Sequence, residues 1–562
     1  MIEKYNQTMK LGLMNIKSTM IIILTSVGFC KALSQGYNIV LGRPTDTSIT
    51  VSVMIDQKAE FYLEYGETST AYDQKTDILS VAANDPQHVL IHPLRRNSRY
   101  FYRLRYKTDK SFVASPQFHF QTQRAEGSSF VFTVEADEHL YDKKGIRSMY
   151  NVTLQNQAAD NPDFLISLGD IFGDDHEPFT ITSGELEELH RDYRPLLGSI
   201  CHSIPFYICL GNHEGENDYY QSISPPDNLC YRATQWRKYY YPNPFPDGFY
   251  TGNTTLEPYG IEHPENYFAW TWGDALFVVL DVYRTQSYDS LDPKPQGWNW
   301  TLGLKQYNWL KKTLEESNSK FKFVFAHHLR GQGRGGVLLA KTNEWGGYQN
   351  SKGNYTFPAY RPGWAKPIHQ LFVDNKVTKF IQGHDHVFAH EELDGIQYIA
   401  APMAADSTYQ IGMLANADAY VSDTVDGTGH LRFKVNNECV QMDYVKAYLP
   451  LDTLSGEHKN REVGFSLDIG DCNNTNIVRE APQLTEFAVV PNPSRGSFVI
   501  TMTNVDKVNS ILVTDIFGNE VFQTNRCFSG MRIFTGGWSP GVYIISVVGY
   551  HGSMALKVLV QE

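Results

Sequence analysis

The sequence predicts a multidomain chain: an all-β sandwich, a larger α/β unit and a second, smaller all-β sandwich. Three observations carry this. A length of 562 residues exceeds what one core serves, and a hydrophobic share of 42% supplies several. Apolar residues alternate with period two over 36–124 and again over 485–562. Between those stretches, apolar strands alternate with helical patterns. The net charge of −13 argues against nucleic acid as the main partner, because phosphate binding wants a basic surface.

Residues 1–34 read as an export leader. Lys10 and Lys17 precede the apolar run Met20-Ile21-Ile22-Ile23-Leu24, and Ala32-Leu33-Ser34 offers small residues for cleavage before Gln35. The run is too short to span a membrane as a permanent helix, and no other stretch is long and apolar enough to be transmembrane. The unit 36–124 follows. Ile49, Val51, Val53 and Ile55 alternate with Thr50, Ser52 and Met54; Phe61, Leu63 and Tyr65, then Tyr100, Tyr102 and Leu104, then Phe118 and Phe120 keep the period. It holds no constellation of catalytic residue types, so a packing or positioning role is expected.

The unit 128–450 carries helical patterns at 142–160, 183–197, 302–317 and 364–375, and a hairpin joins 267–272 to 275–282 through Gly273-Asp274. Ser183 with Glu185, Glu187 and Glu188 marks a helix start. Long insertions at 215–266, 284–301 and 330–362 have the length of loops that shape a binding mouth. Residues 451–484 read as a polar connector, and strands at 486–490, 497–502, 511–521, 531–534 and 542–547 build the last unit. Cys30 leaves with the leader. Of Cys201, Cys209, Cys230, Cys439, Cys472 and Cys527, the pair Cys439 and Cys472 flanks the end of the α/β unit and is the expected disulfide, which export permits. Cys209 lies inside a core strand.

The chemistry gathers at strand ends. Phe130-Val131-Phe132-Thr133-Val134 runs into Asp137-Glu138-His139, and Phe164-Leu165-Ile166-Ser167-Leu168 into Gly169-Asp170. The strand 205–210 ends in Gly211-Asn212-His213-Glu214, 321–326 in His327-His328, and 379–382 in Gly383-His384-Asp385-His386. A lone H-x-H is more often surface or core than ligand. Repeated Asp, Asn and His at carboxyl ends of strands, where α/β sheets bind ligands, make a site. If 384–386 stays extended, His384 and His386 share a face and reach two adjoining metal ions.

These motifs, D-x-H, G-D, G-N-H-E, a strand-end His and G-H-x-H in order over about 128–450, resemble the calcineurin-like metallophosphoesterases, in particular the purple acid phosphatase branch. The resemblance implies a four-layer αββα domain and a phosphoric ester hydrolase attacking phosphate monoesters with metal-bound hydroxide. It implies two metal ions, Fe, Mn or Zn by their liking for oxygen and imidazole donors, with Asp137, His139 and His386 on the first, Asn212, His327 and His384 on the second, and Asp170 bridging. His213 would stabilise developing charge or protonate the leaving oxygen. The purple branch normally has glycine in the first motif and a tyrosine three residues after the G-D aspartate. Here stand His139 and Gly173, so the coloured tyrosinate bond should be missing and His139 should take its position. A phosphodiesterase with the same metal core, or a surface-binding protein with a degenerate enzyme domain, are the alternative readings.

Other residues draw weaker expectations. His328 should point away from His327. Asp174, Asp175, His176 and Glu177 read as a solvated loop, with His176 a candidate to face substrate. Arg330 and Arg334 either bind a phosphate oxygen or belong to a surface loop. His390 and Glu391 are candidates to support the H-x-H loop. Leu94 to Arg103 is similar to the turn-and-strand signature of fibronectin type III-like domains that precede purple acid phosphatases. At the far end, Pro491-Asn492-Pro493, Asp515-Ile516-Phe517-Gly518-Asn519, Ser539-Pro540-Gly541-Val542-Tyr543 and Lys557-Val558-Leu559-Val560 resemble the Ig-like C-terminal sorting domain of type IX secretion in Bacteroidetes. That resemblance implies the type IX machinery as a partner and a secreted or surface location; the metallophosphoesterase resemblance implies a small phosphate ester as substrate.

Overall fold

Two β-sheets packed face to face form the centre of the computed structural model, which describes residues 36–142, 144–172, 178–286, 297–329, 331, 333–350, 353–411, 419–472, 487–502, 508–515, 520–549 and 552–561. Residues 1–34, expected to be a leader, Gly173, Asp174, Asp175, His176, Glu177, Arg330 and the segment Ile516 to Asn519 lie outside these residues.

One sheet has six strands, in the order Phe206–Ile208, Phe164–Ser167, Phe130–Glu135, Gly429–Val435, Cys439–Lys446 and Val463–Gly470. Its first three strands are parallel, and the rest are antiparallel. The other has eight, with the parallel run Ala275–Val279, Phe321–Phe325, Lys379–Gln382 and Ile396–Ala400 at its centre. Alternate residues of these strands face each other across the sandwich. Phe132 stacks on its in-sheet neighbour Phe433 at 4.5 Å between ring centroids and meets Phe277 of the opposite sheet edge-on at 5.1 Å. All three rings are fully buried, each contributing roughly 1.5–3 kcal/mol of transfer free energy.

The other alternate residues face helices. Leu165, Phe206 and Ile208 pack with Tyr150 and Leu154 of Arg147–Ala158 and with Tyr193 and Leu197 of Ser183–Cys201. Leu276, Val278 and Val324 pack with Leu310 and Leu314 of Gly303–Glu316 and with Leu371 and Phe372 of Ile368–Asp374. Both faces of helix-covered strands such as Phe206–Ile208 and Ala275–Val279 are therefore apolar, which is why these read as continuous hydrophobic runs. Gly429–Val435 and Cys439–Lys446 instead turn Arg432, Lys434, Gln441 and Asp443 away from the core.

Some boundaries differ from the sequence reading. The helix expected over 142–160 begins only at Arg147, because Asp142 is turned back to accept from the Lys144 N–H. The helix expected over 364–375 starts at Ile368, since Pro367 disfavours helical backbone in the residue before it. At the second helix the cap is Thr182, one residue earlier than expected: its hydroxyl accepts from the Glu185 N–H while the Glu185 carboxylate accepts from the Thr182 N–H. The connector 451–484 contains the edge strand Val463–Gly470, paired antiparallel with Cys439–Lys446 and followed by the Cys439–Cys472 disulfide. Phe465, Leu467 and Ile469 alternate there with Ser466, Asp468 and Gly470 and are half-buried, Phe465 and Leu467 against the central core, a period of two that the reading of a polar connector passed over.

Before the central sheets, Tyr37–Gly42, Ile49–Ile55 and Gln87–Ile91 form one antiparallel sheet and Ala59–Gly66 with Arg99–Lys107 the heart of another. Their core holds Ile39, Val51, Phe61, Leu63, Tyr102 and Phe120. At the other end, Phe487–Val490, Ser497–Met502 and Met531–Phe534 make a three-stranded sheet. A five-stranded sheet containing Val508–Asp515, Gly541–Gly549 and Gly552–Gln561 shares its core, through Phe498, Ile500, Ile511, Val513, Ile545 and Val558.

Candidate metal centre

Five neighbouring strands of the two sheets end at one place. Phe130–Glu135, Phe164–Ser167 and Phe206–Ile208 deliver Asp137 and His139, Asp170, and Asn212 and His213; Phe321–Phe325 and Lys379–Gln382 deliver His327, His384 and His386. The chain turns inward through the left-handed region: Asp137, His139, Asp170, His384 and His386 have φ of 57°, 47°, 60°, 69° and 55°. Non-glycine residues hold such backbone only where their surroundings enforce it, and such strain clusters at functional sites. The extended geometry expected for 384–386 is therefore corrected. The two imidazoles reach different partners by a double left-handed turn, His384 toward His327 and His386 toward Asp137.

Two glycines make this convergence possible. A Cβ on Gly383 would lie 2.6 Å from Asp137 Oδ2, and one on Gly211 would lie 2.2 Å from Asp170 Oδ1. Each glycine lets its loop close onto the carboxylate of another motif.

Each carboxylate divides its oxygens in the same way. Asp137 Oδ2 accepts from the His384 N–H at 2.8 Å, and Asp170 Oδ1 from the His213 N–H at 2.8 Å. The second oxygens face imidazoles. Asp137 Oδ1 lies 3.5 Å from His386 Nε2 and 3.8 Å from His139 Nε2, and Asp170 Oδ2 lies 3.2 Å from His327 Nε2 and 3.8 Å from His139 Nε2. Asn212 Oδ1 and His384 Nδ1 are each 3.2 Å from His327 Nε2. His327 donates its other ring nitrogen to the Leu168 carbonyl at 2.8 Å, which leaves Nε2 a lone pair. Donor atoms gather in three sets: Asp137, His139 and His386; Asp170, His327 and His384; and His139, Asp170 and His213. Asp170 belongs to two of them.

The electrostatics ask for a cation. Asp137 Oδ1 and His139 Nε2 are buried without a hydrogen-bond partner among the described residues. Burial alone would raise the Asp137 carboxyl and lower the ring of His327. Facing each other and their neighbours, they do the reverse: Asp137 is held well below the usual range, and His327 is pushed up to about 9, chiefly by Asp170. His139 likewise overcomes burial to reach about 9, through Asp137 and Asp142. His384 moves the other way, lowered by burial and by His328, His327 and Arg334. Carboxylate, amide and imidazole donors pointed at one another, with orphaned lone pairs between them, fit divalent or trivalent metal ions.

His213 stands apart by exposure, 17% for its side chain against 0–6% residue exposure for Asp137, His139, Asp170, Asn212, His327, His384 and His386. Its Nε2 is 3.9 Å from Asp170 Oδ2, at the open side of the cluster. His328 is turned toward Asp385, as expected for a strand neighbour. Arg334 is committed to the loop rather than a ligand, donating to the His384 carbonyl and lying 3.3 Å from an Asp385 oxygen. His390 bonds Gln397, whereas Glu391 accepts from the Val337 and Val421 N–H groups and pins the segments beside it.

Sequence reasoning gave no role to Glu214, Asp142, Tyr141 or Asp385. Glu214 lay in plain sight in the G-N-H-E motif. Asp385, between two imidazoles, accepts from Tyr420 Oη and the Gly335 N–H, tying neighbouring segments to the loop.

Strand ends that gather two carboxylates, an amide and imidazoles on a two-sheet sandwich define a metal-dependent phosphoesterase. Residues 130–388 match the model of the calcineurin-like phosphoesterase family, and the chain carries a domain of that family. Residues 488–561 match the secretion system C-terminal sorting domain, which marks the chain for type IX export to the cell surface or the medium. No curated protein matches the chain. Among solved structures, that of PhoD is similar at 16% identity and a TM-score of 0.54, over 77% of this chain and 90% of that one. Purple acid phosphatase PPD1 from yellow lupin (Lupinus luteus) seeds is similar at 14% identity and 0.50, over 77% and 74%. These likenesses show a shared fold. No helix among the described residues is long and apolar enough to cross a membrane.

Proposed function

We propose that the chain is an exported dinuclear-metal phosphomonoesterase. In this reading Asp137, His139 and His386 hold one ion, Asn212, His327 and His384 the second, and Asp170 joins them. The observation that carries it is the paired arrangement of Asp137 and Asp170, each spending one oxygen on a backbone N–H and turning the other to imidazoles, His386 for Asp137, His327 for Asp170 and His139 between them. Two bound ions polarise a phosphoryl group and acidify water, and the donor types favour Fe, Mn or Zn.

The chain's own groups do the rest. The neutral Asn212 amide keeps one position less anionic than a third carboxylate would, which favours approach of a phosphate ester. His213, at the open side, stabilises charge on the phosphoryl oxygens or gives a proton to the leaving oxygen. The unit before the central sheets is read as a fibronectin III-like positioning module over 36–124. The last is read as an Ig-like sorting unit from 485 that engages the type IX secretion machinery. The strand Val463–Gly470 goes with the central domain of 128–450.

Purified protein assayed with a monoester and a diester of one phenol, alongside metal analysis, tests the reading. Two metal equivalents and faster monoester turnover are expected. Faster diester turnover would make it a phosphodiesterase, and an inactive, metal-free protein would remove the enzyme altogether.

A further inference from the structure

The loop that follows Asp137 closes around one ring. His139 turns Nε2 toward Asp137 Oδ1 and Asp170 Oδ2. Its opposite nitrogen, Nδ1, lies 3.2 Å from Asp142 Oδ2 and 3.0 Å from Tyr141 Oη. Asp142 is itself held on both oxygens. Oδ1 accepts from the Lys144 N–H at 3.1 Å, and Oδ2 meets Lys144 Nζ at 2.6 Å. The chain then doubles back, the Gly145 N–H donating to the His139 carbonyl at 3.0 Å. A Cβ on Gly145 would lie 1.9 Å from the Glu138 carbonyl oxygen, so the closure needs glycine at that point.

We propose that Asp142, steadied by Lys144 and joined by Tyr141, is a positioning residue that keeps the His139 proton on Nδ1 and so presents the Nε2 lone pair to a metal ion. This rests on the assignment of His139 as a metal-holding residue. A neutral imidazole carries one N–H. A carboxylate at Nδ1 fixes the proton there, fixes the ring's orientation, and makes Nε2 a stronger donor. Tyr141 Oη adds a second contact on the same nitrogen, and its ring packs 5.5 Å from that of His139. Sequence spacing alone would not show this, since a carboxylate three residues after a histidine usually faces solvent in a loop.

The test is metal affinity, read by chelator competition on the full chain. Asp142→Ala should weaken one of two metal equivalents by about 10–100-fold, the range for losing a group that orients a metal-bound histidine, and leave the other unchanged. Asp142→Asn, which keeps an acceptor oxygen and the volume without the charge, should fall between wild type and Ala. In a His139→Ala background, Asp142→Ala should cost almost nothing further, because the two act as one unit. Equal weakening in both backgrounds would show a merely structural aspartate and overturn the inference. So would two equivalents bound at wild-type affinity by both Asp142 variants. A wild-type protein that binds no metal would overturn the metal-centre reading together with this one, and the two failures are thus told apart.

Discussion

Glu214 lies directly behind Asp170 and receives its backbone: Glu214 Oε2 accepts from the Asp170 N–H at 3.0 Å and from the Gly211 N–H at 2.5 Å, while Oε1 accepts from the Ile171 N–H at 2.7 Å. One carboxylate thus ties the loop bearing Asp170 to the loop bearing Asn212 and His213. It is 2% exposed, and burial followed by the nearby Asp170 charge raises its pKa. Replacing it by Ala leaves three buried N–H groups without acceptors, a cost of roughly 3–5 kcal/mol. Glu214→Gln should recover only part of this, since its single oxygen can still accept while its NH2 faces a remaining N–H donor. Denaturant unfolding of both variants measures this; a Gln variant of wild-type stability would show that the carboxylate is not needed there.

His213 and Asp170 should separate metal holding from turnover. His213→Ala is expected to keep both metal equivalents and lose about 10²–10⁴-fold in kcat, the usual range for a general acid. Asp170→Ala should lose both ions, because its Oδ2 serves two donor sets. Metal analysis beside steady-state kinetics decides. Full turnover in the first variant removes the proton-transfer role, and two retained equivalents in the second remove the bridge.

These expectations mark how far the sequence reaches. Asp137, His139, Asp170, Asn212, His327, His384 and His386 were legible because each follows an apolar run, and a buried strand brings whatever ends it to one edge of a sheet. The left-handed φ at five of them was not, since nothing in an Asp or His predicts the backbone it will be forced into. Glu214 and Asp142 act through loop backbone and a neighbour's outer nitrogen, contacts that only the closed fold supplies. The edge strand Val463–Gly470 was passed over although Phe465, Leu467 and Ile469 alternate with Ser466, Asp468 and Gly470, because that short run is only half-buried and sits inside a polar segment.

Arg194 supplies a further test, of how the first sandwich is held. From the helix Ser183–Cys201 its guanidinium donates to Asn38 Oδ1 at 2.8 Å, Ser52 Oγ and the Ser52 carbonyl at 3.0 Å each, and the Tyr240 carbonyl at 2.6 Å. All these acceptors are neutral, and burial lowers the Arg194 pKa to about 10. Arg194→Ala removes the shared donor and leaves a cavity, with an expected loss of roughly 3–5 kcal/mol. Limited proteolysis should then cut within 37–124 sooner than in wild type. A variant that resists protease as wild type does would show that the sandwich is held by other contacts.

His190 should make the fold sensitive to mild acid. It is 2% exposed, its Nδ1 bonds the Leu186 carbonyl at 2.7 Å, and Phe172 packs on its ring at 4.6 Å. Burial is the main cause that lowers its pKa from 6.5 to about 4, against the Leu186 bond and the charge of Glu216. Between those two values the unfolded chain holds a proton that the folded chain refuses, so the free energy of unfolding rises with pH. The contribution is complete above about pH 6.5 and is lost progressively as pH falls toward 4, roughly 3 kcal/mol in all. Unfolding curves on chelator-treated protein, which remove the pH dependence of metal binding, isolate the effect. His190→Gln cannot titrate, so its stability should fall less steeply across that window than that of wild type. Parallel slopes for the two proteins would mean that His190 takes up its proton without opening the fold.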